Sequence, residues 1–450
     1  MSEKPNDAQG GGAHTSVSTR GQTSYESVNR KPIPPADKGK DAYLFLASCC
    51  VLEAVVWGLP FTYGVFNDYY STHGPFDSAD NLAIVGTCSL GMLYLDLPIV
   101  FAVVQAYKRH IRGTCALGIL IMGLALATSS FATSVTHLML TQGFLYGLGG
   151  SISYSTCLIL LSDWYDKRKG MAFSIMLGGT GMGGTILPIV TEKLLQSFNF
   201  RTTLRALAVA IVLLSGAFVY YMKPRIAVEE STAESETAAA ARGQAGRVRF
   251  MRTGAFAALQ LANTVQGLGF FLPTLYLPMY ARSIGASQSV GALTVVAYNI
   301  SSVMGCVLMG LVIDRWHVTT CCLACAVGSS ISIFLLWGFS GSLPPLFVFA
   351  ILYGLFAGAW VATWSGMVKA VQRSETTADA STVLAWLSTG RGIGNVVSGP
   401  LSEALIREDH WKGVLAYGYG SGYGVLIVFT GVTAALSGSC VLGRKLGYFK

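Results

Sequence analysis

Charge is scarce in this 450-residue chain: Asp, Glu, Lys and Arg together make up 12%, against about 25% in soluble domains. That scarcity excludes an ordinary soluble globular protein, a disordered protein and a nucleic-acid binder. Residues 1–41 lack an apolar run of signal-peptide length, so no cleavable signal is expected there. No HExxH, GxSxG or paired-Asp motif occurs in the apolar stretches, which leaves a membrane-embedded enzyme without a catalytic constellation. The ten cysteines fall mostly inside apolar stretches and do not form a disulfide framework of the secreted kind. His317, Cys321, Cys322 and Cys325 have the one metal-like spacing, and a helix end packed with small, soft residues accounts for it without a metal. No metal and no cofactor is expected.

What is present is apolar and small. Hydrophobic residues make up 52%, the mean hydropathy is +0.52, and 52 residues are glycine. Small residues let membrane helices approach closely. The composition fits an all-α polytopic membrane protein.

A membrane span needs roughly 20 apolar residues. Twelve such stretches are read near 43–67, 81–105, 113–132, 137–161, 170–190, 202–222, 253–280, 287–313, 319–340, 346–370, 381–405 and 419–443. A hydrophilic segment, 223–252, divides them six and six and reads as a mobile cytoplasmic linker. The expected organisation is a disordered tail over 1–41, a six-helix bundle over 42–222, the linker, a second bundle over 253–446 and a short C-terminus over 447–450.

Basic residues set the orientation. With the N-terminus inside, the inner segments hold 24 Lys and Arg, the outer loops hold 6, and Arg391 lies within a span. Both termini are therefore expected in the cytoplasm, with the plasma membrane as the default location. The halves also look like repeats. Ser174–Pro188 laid over Trp386–Pro400 matches Gly178 with Gly390 and Pro188 with Pro400. Two six-helix halves joined by a hydrophilic hinge are the pattern of a secondary transporter.

Glu53, Asp96 and Arg391 each lie about ten residues from the inner end of their spans, roughly 15 Å deep at about 1.5 Å per residue. A charge there costs at least ~2.5–3.5 kcal/mol on insertion scales, so each must face the bundle interior and find a partner or water. Arg391 is permanently cationic and suits a carboxylate. Desolvation penalises the charged form of a buried Glu, which suits proton coupling at Glu53. The plain alternatives are a structural Asp96–Arg391 pair, and a protonated Glu53 satisfied by Ser48, Thr62 or backbone. Because the second and eleventh spans should face each other, Asp96 and Arg391 are expected to approach in at least one state. Pro98 should bend the second span.

Trp57, Asn263, Asn299 and Trp360, with Gln142, Gln266, Tyr63 and Trp364, are further candidates to line a cavity, or simply to pack. Trp57 follows Glu53, and Trp364 follows Trp360, by four residues, so each pair shares a helix face. Asp163 and Arg168 after the fourth span, and Asp314 and Arg315 after the eighth, are candidates for inner-gate salt bridges or for plain topological signals.

Several stretches resemble the major facilitator superfamily, in its fungal monocarboxylate-porter-like branch. They include Val51–Phe61, Tyr63–Phe66, Asp68–Tyr70, Trp164–Ala172, Tyr298–Ser302, Gly310–Arg315 and Gly392–Pro400. The resemblance implies two six-helix bundles moving a small organic molecule by alternating access, with a monocarboxylate, a proton or an exported fungal metabolite as cargo, and a monomer in the bilayer. Where such relatives carry an Arg in the eighth span, this chain has Cys306, with Ser302 near the position of the accompanying Asp. Arg391 in the eleventh span is the cation left to take an anion.

Overall fold

In the computed structural model, the described residues are 35–76, 79–166, 168–225, 248–313 and 315–449. Residues 1–34 of the expected 1–41 tail, most of the 223–252 linker and Asp314 lie outside them. The described residues are helical throughout, with short connections.

The helices are α1 (Lys40–Tyr70), α2 (Ala83–Leu95 continued by Leu97–Ala106), α3 (Lys108–Ser129), α4 (Val135–Leu161), α5 (Lys169–Ser197) and α6 (Phe200–Val219). The second six are α7 (Gly254–Ser283), α8 (Gln288–Val312), α9 (Val318–Trp337), α10 (Leu343–Ser374), α11 (Ala380–Arg407) and α12 (Gly424–Lys445). Ten of these are long and apolar enough to cross a membrane, and α2 makes an eleventh if its two segments count as one span. Each of the twelve spans read from the sequence is a helix among the described residues, and α11 differs from the rest in composition. It is a 28-residue helix but is not among the apolar ones, because its buried side carries Ser388, Arg391, Asn395, Ser398 and Ser402. These face protein rather than lipid, so burial between helices replaces hydropathy as the reason the helix sits there.

α2 bends by 49° at Asp96. Pro98 occupies the first turn of the second segment, where its missing N–H costs nothing. The Asp96 carbonyl accepts from the N–H groups of Ile99 and Val100 at 3.0 and 2.9 Å, so the break is capped by backbone. α10 is irregular in its middle, with a widened π turn at Gly354–Gly358 followed by a tight 3-10 turn at Ala359–Thr363. Such departures re-aim side chains, and here they deliver Trp360 and Trp364.

Contacts between the two sets of six run along α2 with α11, α5 with α8, and α1 with α7. Glycine makes them close. A Cβ on Gly392 would sit 2.6 Å from the Leu95 nitrogen and 2.8 Å from the Gly91 oxygen, so only glycine lets α11 lie on α2. Within the first six, Gly179 and Gly183 of α5 bring that helix onto α1 at Cys50 and Ala54.

Apart from one hydrogen bond from Asn299 to the Gly184 carbonyl midway along α8 and α5, the hydrogen bonds and ion pairs seen between the two sets among the described residues gather at the end opposite the start of α1 and the end of α12. Arg282 on α7 pairs with buried Asp68 on α1 at 2.9 Å. Asn67 donates to the Met279 sulfur at 3.2 Å. Glu403 on α11 accepts from the backbone N–H of Asn81 and, at 2.8 Å, of Ala83 at the start of α2. Arg407 pairs with Asp80 at 2.6 Å. Gln196 on α5 donates to Ser289 at 3.1 Å, and Ser289 donates to Glu192 at 2.9 Å. These contacts latch that end.

Candidate functional site: a buried guanidinium between two helix sets

The orientation of α11 follows from its neighbours and the 100° turn per residue. Gly390 and Gly394 face α7, at Thr264 and Gly267. Gly392, Val396 and Gly399 face α2, at Leu95, Gly91 and Thr87. Ile393 and Val397 are 46% and 47% exposed, the level expected of a lipid-facing side. The remaining stripe, Arg391, Asn395, Ser398 and Ser402, points between α2 and α7, away from lipid.

Arg391 is fully buried. Its Nη1 donates to Gln266 Oε1 of α7 at 2.5 Å. Its Nε and Nη2 meet no hydrogen-bond acceptor among the described residues. The guanidinium lies 4.0 Å from the Phe270 ring centre, 5.5 Å from Tyr94 and 5.9 Å from Trp364. Three rings thus hold a cation that no carboxylate neutralises; each such contact contributes about 0.5–2 kcal/mol depending on desolvation. The Tyr94 hydroxyl is within electrostatic range of both Arg391 and Glu53, and Tyr94 packs on Trp57 at 4.8 Å.

Asp96 and Arg391 do not pair. Asp96 Oδ2 accepts from Ser151 Oγ of α4 at 2.8 Å. The reason is geometric: the break in α2 leaves Asp96 beside α4, while the inward stripe of α11 carries Arg391 toward α7. Asp96 Oδ1 has no hydrogen-bond partner.

Glu53 is buried on α1 and accepts from Thr180 Oγ1 of α5 at 3.2 Å. The nearby hydroxyls first considered are engaged elsewhere: Ser48 donates to the Leu44 carbonyl and Thr62 to that of Gly58. Gly179 explains the Thr180 contact, since a Cβ there would lie 3.0 Å from the Glu53 Cβ. Glu53 Oε1 is buried, with the Trp57 indole N–H beside the carboxyl group.

Asn263 has a different character. Its Oδ1 accepts from Trp360 Nε1 at 2.9 Å and Trp364 Nε1 at 3.1 Å, and its Nδ2 donates to the Leu387 carbonyl at 2.6 Å. It ties α7, α10 and α11 together and holds both indoles in place. Asn299 on α8 donates to the carbonyls of Gly184 on α5 and Val295, at 2.7 and 2.9 Å. It joins the two helix sets.

Among the described residues, no cross-set pair of the inner-gate candidates is seen. Asp163 pairs with Lys108 at 2.9 Å, between α4 and α3 of the same set. The Arg168 N–H donates to Asp37 Oδ1 at 2.9 Å. The Arg315 side chain is exposed and its N–H closes the end of α8 on Val312; Asp314 lies outside the described residues. His317 accepts from the Thr319 N–H to cap α9. Its pKa is lowered from the ordinary value by partial burial and by Arg444 and Arg373.

Asn395, Tyr94, Gln266 and Phe270 complete the neighbourhood of Arg391. Gln266 was legible as a polar residue within a span. Asn395 was not singled out, though the 391, 395, 398, 402 spacing of polar residues marks one helix face.

The sequence profile of the Major Facilitator Superfamily matches two overlapping stretches, 82–316 and 259–440. The chain is 21% identical over 379 residues to the MFS transporter asaE of Aspergillus flavus, covering 84% of this chain and 83% of that one. It is 22% identical over 442 residues to the aspyridones efflux protein apdF of Emericella nidulans, covering 95% and 84%. Its fold is similar to the crystal structure of the nucleoside transporter NupG, with a TM-score of 0.66 at 14% identity over 90% of this chain and 100% of that one. The profile match spans most of the chain and the helical architecture agrees with it: this protein belongs to the major facilitator superfamily.

Proposed function

We propose that the protein carries a small organic anion across a membrane by alternating access, with 42–222 and 253–446 as the moving halves. The observation that carries this reading is Arg391, a buried cation with two unpartnered nitrogens at the seam between halves. An unneutralised charge in a low-dielectric interior is costly, and an anionic substrate offsets that cost when it binds. The ring contacts around it favour a body that is partly aromatic or apolar. The latch opposite the termini closes one side, and in this reading the substrate enters from the other once the helices there part. With the orientation expected from the basic residues, that side is the cytoplasm, and the plasma membrane is the expected location.

Export of a metabolite is the favoured direction, because a relative similar along nearly the whole chain is named an efflux protein. Uptake of a monocarboxylate is the second reading, supported by the resemblance in sequence and by the cationic site. Metabolite profiles of cells and medium, with the gene deleted and overexpressed in its native host, separate the two. An acid that accumulates inside the deletion strain and in the overexpresser's medium supports export. An acid left unconsumed by the deletion strain supports uptake. No change in any organic anion overturns the proposal. Proton coupling is tested by Glu53→Gln: flux driven by a pH gradient is lost, while exchange of labelled for unlabelled substrate persists.

A further inference from the structure

Asn395 is fully buried, and neither its amide nitrogen nor its amide oxygen has a hydrogen-bond partner among the described residues. It leaves α11 one turn, about 6 Å, after Arg391 on the same inward face. An amide both donates and accepts. A buried amide with neither capacity used is destabilising, by about 1–3 kcal/mol per orphaned group. A carboxylate bound at Arg391 would satisfy only the donor side of Asn395. Its Oδ1 needs a hydrogen on the ligand. Gln266 accepts from Arg391 and makes no hydrogen bond to Asn395.

We infer that Asn395 is a specificity-determining residue, and that the substrate is a hydroxylated organic acid. Its anionic head meets Arg391, and its hydroxyl, which donates and accepts, meets the Asn395 amide. This inference rests on the anion-carrier reading of Arg391 and adds to it the second functional group of the cargo. Acids lacking the hydroxyl bind more weakly because they leave the amide orphaned, which is how a polar site discriminates against an analogue that lacks its partner group.

Calorimetric titration of the full-length protein in nanodiscs tests this, with benzoate, 2-hydroxybenzoate, 3-hydroxybenzoate and 4-hydroxybenzoate at neutral pH. At least one hydroxybenzoate is expected to bind about tenfold tighter than benzoate, the effect of one hydrogen bond. Asn395→Ala is expected to bring that isomer within about twofold of benzoate measured on the same variant. Asn395→Ser, which keeps a hydroxyl on a small side chain, serves if the Ala variant fails to fold by size exclusion. Arg391→Gln is expected to abolish binding of all four acids. If Asn395→Ala and Asn395→Ser leave the ratio untouched, or weaken all four acids equally, the inference is overturned while the anion-carrier reading stands. If the four acids bind wild type equally, the inference is again overturned. If none binds folded wild type, both fail.

Discussion

The Glu403 carboxylate accepts a hydrogen bond from the Ala83 backbone N–H at 2.8 Å, although 320 residues separate the two. A side chain of α11 thereby caps the first turn of α2, satisfying N–H groups that a helix start leaves free. The cap crosses the seam between halves, so it exists only while that end is shut. Closure and helix capping are one interaction here.

Glu403→Ala is therefore expected to loosen the start of α2. Amides over 81–86 should exchange with deuterium about tenfold faster, the loss of a cap of about 1–1.5 kcal/mol. Unchanged exchange there would mean that Glu403 does not hold the end closed.

Arg282→Ala is expected to act more strongly, because it leaves buried Asp68 without its cation. Removing one partner of a buried pair costs about 3–5 kcal/mol; Arg282 is itself about one-third exposed, so the lower end of that range is expected. The latched state should become a minority form. Reagents added on the latched side should then reach a cysteine introduced in place of Phe61 on α1, which they do not reach in the Arg282 parent.

Arg391→Gln is expected to abolish net transport, by at least about a hundredfold, with surface expression intact; loss of a charged hydrogen-bonding group of this kind supports that magnitude. Arg391→Lys should rescue little, since an ammonium cannot replace the planar guanidinium between rings. Transport at wild-type rates in the Gln variant would remove Arg391 from the mechanism.

Asn263→Leu should behave as a packing defect. It orphans the indole N–H groups of Trp360 and Trp364. The purified protein should melt several degrees lower, since each orphan costs about 1–3 kcal/mol. Transport per folded molecule should fall by less than it does in Arg391→Gln. An unaltered melting temperature with abolished transport would instead make Asn263 a substrate contact.

The fold is legible because burial in lipid demands long apolar runs, and those survive in nearly every helix. α11 is the exception, since protein rather than lipid surrounds its polar side. Arg391 stands out in the sequence because a charge at that depth has few permissible explanations. Asn395 does not, because an Asn in a Gly-rich helix is compatible with plain packing, and only its unmet hydrogen-bonding capacity distinguishes it. Asp96 and Arg391 are unpaired in this form for a reason the sequence hides. Depth along two helices is readable by counting, but the direction each side chain leaves its helix depends on the bend at Asp96. The latch is hidden for another reason. Glu403 and Asn81 are ordinary polar residues at helix ends, joined only by tertiary structure.

The polar stripe on α11 also bears on how the protein is made. Arg391 alone raises the cost of entering lipid by about 2.5–3.5 kcal/mol, and Asn395, Ser398 and Ser402 add to it. As an isolated segment α11 is poorly suited to leave the insertion machinery sideways. It becomes acceptable once Gly91 and Gly267 offer a groove and Gln266 and Phe270 receive the guanidinium. Both walls of that groove, α2 and α7, are synthesised before α11, so the seat for the charge already exists when the helix emerges.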